Sequence, residues 1–594
     1  MKLEKYIACS RAARKMIKAD LVLKNAKIVN VFADRVDQGN VAIKNGIIVG
    51  IGDFEGEKEI DLHGMYLTSG LIDAHLHLES TLVNPQVLIS LAASHGTTTF
   101  MVDPHEAANV SGTKGVDYLL EQTKNSPAHV YIMMASCVPA TAMEDSGAVL
   151  TAREMEPYLS NRRVLGLGEV MDCMAVINGD PSMNEKLELF DGKVKDGHAP
   201  GLTDEELAAY VLAGVTTDHE ATSYEYALRE RSMGMIVHIR EGSAARNLEN
   251  IIRGIVEHNT NTEGFCFCTD DKHIEDIYKE GHIDHNVRKA VSMGINPISA
   301  IKMATIQPAR CYGLRRTGAV TPGYDADLVV WDTLKDFNAQ MVFYNGEMIY
   351  DARKTEDGKE SPVNQRLKVQ PAVCPPELMD TVHLAPLDPV KLLLPVFGSA
   401  SDDDGLFPAI RMIPGEIVTK KEMVRLPGET FFTPDGNINK IAVFERHHAT
   451  GKVGVGAVTG FPIRGGAIAS SVSHDSHNII VIGDNDEDIL LAVRELERAH
   501  GGYTIISDGK VYDTLELPVM GLISDKSLAH VNKKMQKLIK KAHRMGVPDG
   551  MDPFITLSFM ALPVIPEIRC TPRGIYDVVN GIFLSSAAHP PFPS

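Results

Sequence analysis

The segment LIDAHLHLE, residues 71–79, runs from apolar residues into two histidines and a glutamate. Residues two apart on a β-strand point to the same face, so His75 and His77 would converge on one point at the end of this strand. Nitrogen ligands placed in this way suit a single metal ion. An isolated pair of histidines is just as often incidental, and the segments that follow it decide its meaning.

Seven further segments, between about residue 70 and residue 310, repeat the change from a short apolar run to polar residues, and each precedes a helical pattern. This alternation is typical of a parallel sheet. Eight units indicate a closed barrel, in which catalytic side chains come from the C-terminal strand ends and the loops after them. The seven segments are GTTTFMVDPHE (96–106), AHVYIMMASCVP (128–139), RVLGLGEVMD (163–172), KVKDGHAPG (193–201), GVTTDHEATS (214–223), GMIVHIREGS (234–243) and GFCFCTDDK (264–272).

Four of these strand ends add a side chain that can bind a metal ion. Together with the histidine pair they give six nitrogen and oxygen ligands, more than one tetrahedral ion needs. We therefore expect two divalent ions that share Glu169, and Mn, Fe and Zn all accept such ligands. The candidate ligands are His75, His77, Glu169, His198, His219 and Asp270.

The chain on both sides of the barrel segments reads as strands punctuated by turns. We expect these flanks, residues 1–69 and 317–360, to form one small β-sandwich domain. A stretch rich in proline and polar residues, 360–380, predicts a linker into a C-terminal α+β domain over 370–594. The predicted fold class is α/β, a (β/α)8 TIM-like barrel over 70–316 with these two additional domains.

The composition, 44% hydrophobic and 23% charged residues over 594 positions, is that of a globular enzyme with more than one domain. A formal net charge of -19 disfavours nucleic acid polymers and anionic membranes as partners and fits a small neutral substrate. The eight cysteines include no CxxC pair, and neither a signal peptide nor a membrane-spanning run is recognisable. We therefore expect a cytoplasmic protein.

The motifs at the strand ends resemble those of the amidohydrolase superfamily in order and spacing. Further motifs, which extend over nearly the full chain, narrow this resemblance to the adenine deaminase family. The superfamily motifs are GLIDAHLHLES, the glutamate of GLGEVMD, the histidine of DGHAPG, the histidine of TTDHE and the aspartate of CTDD. The narrower set adds VDPHE, ASCVPA, IREGSAARNL, FCTDD and, in the C-terminal domain, SVSHDSHNI (471–479).

The resemblance implies a barrel that uses two metal ions to hydrolyse adenine to hypoxanthine and ammonia. The six candidates are then the expected metal ligands. Paired cations lower the pKa of a bound water enough to supply hydroxide near neutral pH, and that hydroxide would attack C6 of the purine. We also expect a homo-oligomer, a dimer, although the residues themselves do not specify the number of subunits.

Two catalytic roles follow from this chemistry. Asp270 is the expected proton shuttle, which takes a proton from the attacking water and delivers it to the departing amine. Attack at C6 places negative charge on the ring nitrogens, so an acid near N1 is required. Glu220, Glu241 and Glu106 are candidates for that acid, and each could equally be a salt-bridged residue at the rim.

Further residues are predicted to contact the substrate. Asp103 and His105, at the end of the second barrel strand, lie at a suitable depth for a substrate contact or for support behind the metal ligands, although they could equally belong to a turn formed by Asp-Pro. Glu106 and Arg240 complete the barrel's contribution. We do not expect His238 to be a ligand, because the superfamily takes none from its strand.

His474 and His477 of the C-terminal domain are also predicted substrate contacts, in the sequence SHDSHN. Two interpretations of this segment are open. It is a surface loop, the interpretation that we favour, or it covers the barrel mouth as a lid that excludes water.

Two other functions compete with this prediction. Another amidohydrolase activity, on a cyclic amide or a different nucleobase, would use the same ligands. However, Glu169 occupies the position where many cyclic amidases have a carboxylated lysine. A catalytically inactive scaffold should lack ligands, and none is missing. A zinc deaminase of the cytidine type is excluded because its H-x-E and P-C-x-x-C signature is absent.

Overall fold

The computed structural model describes residues 1–243, 245–354, 358–396, 405–414 and 418–586 of the 594-residue chain. Within these ranges no helix is both long enough and apolar enough to cross a membrane. The last residues of the predicted C-terminal domain lie outside the described ranges.

Five strands precede the barrel segments. The first of them, β1, is divided between two parallel partners, since its first half pairs with β4 and its second half with β5. Helix α1, Leu3–Ala13, contacts β2 and β3. The strands are β1 Ala19–Asn30, β2 Arg35–Lys44, β3 Ile47–Ile51, β4 Gly56–Asp61 and β5 Tyr66–Ser69.

Each of the eight predicted barrel segments contains a strand, and all of their pairings are parallel. They form one sheet of β6 to β10 and another of β11 to β13. Backbone hydrogen bonds join the two sheets at both seams: Asp270 N donates to His75 O and Thr216 N donates to Lys195 O, each over 3.0 Å. The strands are β6 Leu71–Leu76, β7 Thr97–Val102, β8 His129–Met134, β9 Val164–Val170, β10 Val194–Gly197, β11 Thr217–Asp218, β12 Ile236–Arg240 and β13 Phe265–Cys268.

One or more helices follow each of these strands. Several of them begin with a side-chain cap, such as the reciprocal pair of Thr203 and Glu206 at the start of α8. The helices are α2 Pro85–Ser94, α3 His105–Ser111, α4 Thr113–Gln122, α5 Ala152–Met155, α6 Cys173–Asn178, α7 Pro181–Leu189, α8 Asp204–Leu212, α9 Tyr224–Ser232, α10 Leu248–Glu257, α11 Ile274–Glu280, α12 Ile283–Ser292, α13 Pro297–Met303 and α14 Ile306–Cys311.

Three strands after the barrel segments, β14 Leu328–Trp331, β15 Ala339–Tyr344 and β16 Glu347–Asp351, extend the first sheet. Strand β14 pairs antiparallel with β5, so strands from both flanks belong to one sheet. The eight strands of both flanks are connected through hydrogen bonds, because β1 pairs with β2, β4 and β5 at once and so links all the strands. Their arrangement as a sandwich stays a prediction.

The C-terminal part contains a second eight-stranded sheet, in the order β18-β17-β20-β19-β22-β21-β23-β24, and a small sheet of β25 to β27. Helices α15 Asp486–Arg498, α16 Leu528–Met545 and α17 Pro553–Ser558 accompany them. The strands are β17 Phe407–Met412, β18 Thr419–Val424, β19 Asn439–Phe444, β20 Val453–Thr459, β21 Gly466–Ser470, β22 Ile479–Gly483, β23 Gly502–Ser507, β24 Lys510–Glu516, β25 Ile568–Thr571, β26 Gly574–Asp577 and β27 Ile582–Ser586.

The C-terminal part packs directly on the barrel strands' helices and loops. Apolar side chains from both sides share one core, among them Leu82 and Met520. Ser524 N also donates to Leu82 O over 2.9 Å. This packing fixes the position of the loop between β21 and β22, residues 471–478, which we call the histidine loop.

Candidate active site

Four side chains converge at the C-terminal end of β6. His75 Nε2 lies 3.0 Å and His77 Nε2 lies 2.9 Å from the same oxygen, Glu169 Oε1. Asp270 Oδ1 completes the group, 3.7 Å from His75 and 3.2 Å from His77. All four side chains are buried, so an ion bound between them would be shielded from bulk water.

The other oxygen of Glu169 belongs to a second group. His198 Nδ1 lies 2.9 Å and His219 Nε2 lies 3.6 Å from Glu169 Oε2. Burial and the neighbouring His75 hold the pKa of His219 well below its usual value, so its ring stays neutral, the form that binds metal ions. One carboxylate thus stands between two sets of histidines, and all six candidate ligands come together.

The chemistry of these groups fits divalent cations. His75 Nε2 and Glu169 Oε1 are buried without an aligned hydrogen bond, which is uncommon for polar atoms in a protein interior. His77 donates from Nδ1 to Asp103 O over 3.0 Å, so in the neutral ring the lone pair of Nε2 faces the group. A histidine that binds metal through one nitrogen almost always donates from the other to such an acceptor.

Asp103 supports this cluster from below. Its carboxylate accepts from His105 N at 3.1 Å and from Glu169 N at 2.7 Å, and it is fully buried. Gly168 permits this approach, because a Cβ there would collide with the Asp103 carboxylate. Of the two roles predicted for Asp103, a substrate contact or support behind the metal ligands, these contacts favour the second, because backbone N–H groups engage both of its oxygens.

Arg240, on β12, connects Asp270 with Glu220. Its guanidinium pairs with both oxygens of Glu220, at 3.0 Å for Nη2, and donates to Asp270 Oδ2 at 2.9 Å. Asp270 thus has one oxygen at the cluster and the other at Arg240. Burial opposes ionisation of Asp270, but His77 and Arg240 outweigh it and hold the pKa of this carboxyl below its usual value.

Glu241 directs its carboxylate away from the cluster. It pairs with Lys289 at 2.6 Å and with Arg246 at 3.3 Å. Burial alone would raise the pKa of Glu241, but hydrogen bonds from His285 and Lys289 lower it. An ionised carboxylate that is neutralised by two cations has no proton to give, so Glu241 is corrected and is no longer a candidate acid.

A second histidine cluster surrounds Glu106. His474 Nδ1 lies 2.7 Å from Glu106 Oε1, and His477 Nε2 contacts Glu106 Oε2. The ring of His105 stands between the two clusters, with Nε2 3.4 Å from Glu106 and Nδ1 3.7 Å from Glu169. The histidine loop therefore reaches the barrel mouth, and the favoured interpretation of a surface loop is wrong.

An enclosed cavity of about 30 Å³ lies between the two clusters. A cavity of this size has room for ordered water but not for a purine ring. His105, Glu106, Glu220, Arg240 and His474 line the cavity on its polar side. Its apolar wall comes from the C-terminal part and consists mainly of Phe559, Leu562 and Ile565.

Two family models match the chain. The amidohydrolase family matches residues 66–349, and the adenine deaminase C-terminal domain matches residues 416–581. The first match contains all six candidate ligands, and the second contains the histidine loop.

Curated relatives align with nearly the whole chain. An adenine deaminase of Desulfitobacterium hafniense is 51% identical over 568 residues, which are 96% of each chain. That of Clostridium acetobutylicum is 44% identical over 95% of this chain and 97% of its own. That of Bacillus subtilis is 40% identical over 96% of both. The chain belongs to the adenine deaminase family.

Sequence reasoning about this member of the adenine deaminase family missed several residues of its cavity. Asp271 lines the cavity beside Asp270 and contacts Ser80. The doublet in FCTDD offered a signal for it. Phe559, Leu562 and Ile565 offered none, because their surrounding sequence reads as ordinary apolar core.

Proposed function

We propose that this chain hydrolyses adenine to hypoxanthine and ammonia. The observation that carries the proposal is the geometry at Glu169, whose two oxygens each face two histidines. The relatives that align over almost the full chain are named adenine deaminase, and this supports adenine as the substrate.

Two divalent ions, of Mn, Fe or Zn, would be held by the six candidate ligands, with Glu169 shared between them. Ions in these positions would supply a water acidic enough to react near neutral pH. Metal availability would decide which of the three is used, because their ligand preferences overlap here.

Asp270 would take the proton of the attacking water and return it to the departing amine. Its position supports this role, since Oδ1 lies at the cluster while Oδ2 accepts from Arg240. Arg240 keeps the carboxylate ionised and oriented before the proton arrives. The same arginine holds Glu220, so the two carboxylates and the guanidinium form one rigid unit.

The substrate would occupy the cavity between the two clusters, in contact with His105, Arg240 and His474. Glu220 and Glu106 both line the cavity and remain candidates for the acid near N1. Glu106 is the less suitable of the two, because its burial is outweighed by His474, His477 and His105, which hold the pKa of its carboxyl well below the usual value. The cavity is too small for a purine as it stands, so its walls would separate when the substrate enters.

We further propose that the eight parallel strands act as one closed barrel. Hydrogen bonds at both seams support this arrangement. We assign the barrel to residues 70–316, the small β-domain to 1–69 with 317–360, and the remaining domain to 370–594. A dimeric assembly and a cytoplasmic location stay predictions.

Ammonia release from adenine, adenosine, guanine and cytosine tests the proposal. The enzyme should be prepared with a defined content of Mn, Fe or Zn. We expect ammonia and hypoxanthine from adenine, and little from the nucleoside. Comparable rates on adenosine, or turnover of guanine or cytosine alone, would contradict adenine as the substrate.

A further inference from the structure

In the cluster around Glu106, one backbone hydrogen bond determines which nitrogen of the His477 ring is protonated. Ser473 N donates to His477 Nδ1 over 3.2 Å. This nitrogen must therefore carry a lone pair, and the ring's proton is on Nε2, the atom that faces Glu106. His477 is completely buried, and it lies behind Glu106 rather than in the cavity. It is therefore built to donate to this carboxylate, not to bind a metal ion.

His474 has a different position from His477. Its Nδ1 also faces Glu106, at 2.7 Å, but its ring lines the cavity. The ring stacks on Phe559 with a centroid distance of 4.5 Å, and His474 N donates to Ser558 O over 2.9 Å. These contacts fix the ring plane. Among the described residues, no hydrogen-bond partner of Nε2 is found.

The charge of the cluster suits a hydrogen-bond donor at this position. Burial lowers the pKa of His474, but the Glu106 carboxylate outweighs it and raises the pKa to about 9. Asp271 and Asp475 act in the same direction. Attack at C6 of a purine places negative charge on its ring nitrogens, and donors already aimed at such charge lower the barrier.

We propose that His474 Nε2 donates a hydrogen bond to a ring nitrogen of the purine, on the side of the cavity opposite the Glu169 cluster, and that His477 acts as a positioning residue through Glu106. The inference rests on the proposed function. His474 would touch the substrate, whereas His477 would fix the carboxylate that orients the His474 ring. The C-terminal part thus adds a donor to those that the barrel supplies.

The substitution His474→Asn separates the roles of the two ring nitrogens of His474. The amide of His474→Asn can replace Nδ1 at Glu106 but offers nothing at the place of Nε2. We expect two ions per chain and a loss of roughly 10²–10³-fold in kcat/KM for adenine, carried mainly by kcat. His448→Asn is the matched control, because His448 also contacts the barrel, at Ser146 O over 3.1 Å, but is exposed. The control should keep its activity.

The positioning role of His477 is tested by conservative rescue. The amide of His477→Gln can still donate to Glu106, so kcat should stay within about threefold of that of the unsubstituted enzyme. This change is well below the loss of about 10-fold to 100-fold that is typical of a lost supporting contact. His477→Ala removes the donor and should lower kcat by about 10-fold to 100-fold with both ions bound. Equal losses of kcat in the two variants would overturn the positioning role of His477.

Purine analogues identify the acceptor directly. In 3-deazaadenine and 7-deazaadenine one ring nitrogen is replaced by CH. If His474 donates to that nitrogen, His474→Asn should add no further loss with the corresponding analogue, while its loss with the other persists. The hydrogen bond would be overturned if His474→Asn caused its full loss of kcat/KM with both analogues and also its full loss of affinity for 1-deazaadenine, used as a competitive inhibitor.

The outcomes distinguish this inference from the proposed function. An unsubstituted enzyme that does not deaminate adenine contradicts the proposed function itself. An active enzyme in which His474→Asn has normal kinetics contradicts only the role of His474. Loss of a bound ion from His474→Asn or His477→Ala would also overturn it, because the second cluster would then be a metal site.

Discussion

Two glutamates at the barrel mouth, Glu169 and Glu106, are each surrounded by histidines, and the two clusters differ in one atomic detail. At Glu169, His77 donates from Nδ1 to a backbone carbonyl, so its neutral ring turns a lone pair toward the cluster. At Glu106, His477 accepts from a backbone N–H at Nδ1 and turns a proton toward the carboxylate. The first arrangement leaves a ligand for a cation, and the second makes a hydrogen-bond donor.

Residue types alone therefore do not define a metal site. Both clusters contain buried polar atoms without aligned hydrogen bonds, and both bring histidine and carboxylate atoms within ligand distance. The two clusters differ at the ring nitrogen that faces away from the carboxylate. The backbone group bound there determines which nitrogen of the ring is protonated.

Removal of divalent ions should empty only the Glu169 cluster. Treatment with a chelator should reduce adenine turnover to the background level, and two equivalents of Mn per chain should restore it. Atomic emission spectrometry and ammonia release measure the two quantities. Turnover that survives complete removal of metal would contradict the account, and a requirement for a third equivalent would assign an ion to the Glu106 cluster.

Asp270→Asn should keep some metal but lose its proton shuttle. An amide can still bind an ion weakly, yet it cannot take up a proton, so kcat should fall by roughly 10²–10⁴-fold. The neighbouring Asp271→Asn is a matched control, because Asp271 lines the same cavity but lies outside the metal groups that contain Asp270. A larger loss in the control would move the shuttle to Asp271.

The sequence predicted the first cluster much better than the second. Strand ends in a parallel barrel point to one mouth, so the order of His75, Glu169 and Asp270 along the chain was enough to bring them together. No comparable rule relates residue 474 to residue 106. Their contact depends on how two sheets pack, which local pattern does not encode.

The errors have a similar origin. Glu241 follows Arg240 on a strand end, and the sequence could not tell which of them faces the cavity. The choice is made by Lys289 and Arg246, which come from elsewhere in the fold and draw the Glu241 carboxylate away. The cavity's apolar wall was likewise invisible, because burial against a substrate and burial in a core select the same residues.

Glu220→Gln should have an intermediate effect and leave the metal groups filled. It removes one charge of the pair with Arg240, so the guanidinium that also holds Asp270 loses its second support. We expect kcat to fall by about 10-fold to 100-fold, as for other residues that orient a reacting group. Steady-state kinetics with metal analysis measures this, and a loss of both ions would contradict a supporting role.

The smallest effect is expected at the contact between the two parts of the molecule. Arg573 pairs with Asp145 at 3.0 Å and also donates to two backbone oxygens of the same barrel loop. The pair is partly exposed, so Arg573→Ala should cost about 1 kcal/mol or less. We expect at most about a fivefold lower kcat/KM, with two ions bound. A loss as large as that of Asp270→Asn would mean that domain contact, and not the Glu169 cluster, limits catalysis.

The contrast between the two glutamates is tested most directly by the metal content of Glu169→Gln and Glu106→Gln, prepared and analysed in parallel. Both substitutions keep the side-chain shape and remove the negative charge. We expect Glu169→Gln to lose at least one ion together with its activity, whereas Glu106→Gln should retain two ions and lose only turnover. Loss of metal from Glu106→Gln, or two ions and normal turnover in Glu169→Gln, would contradict it.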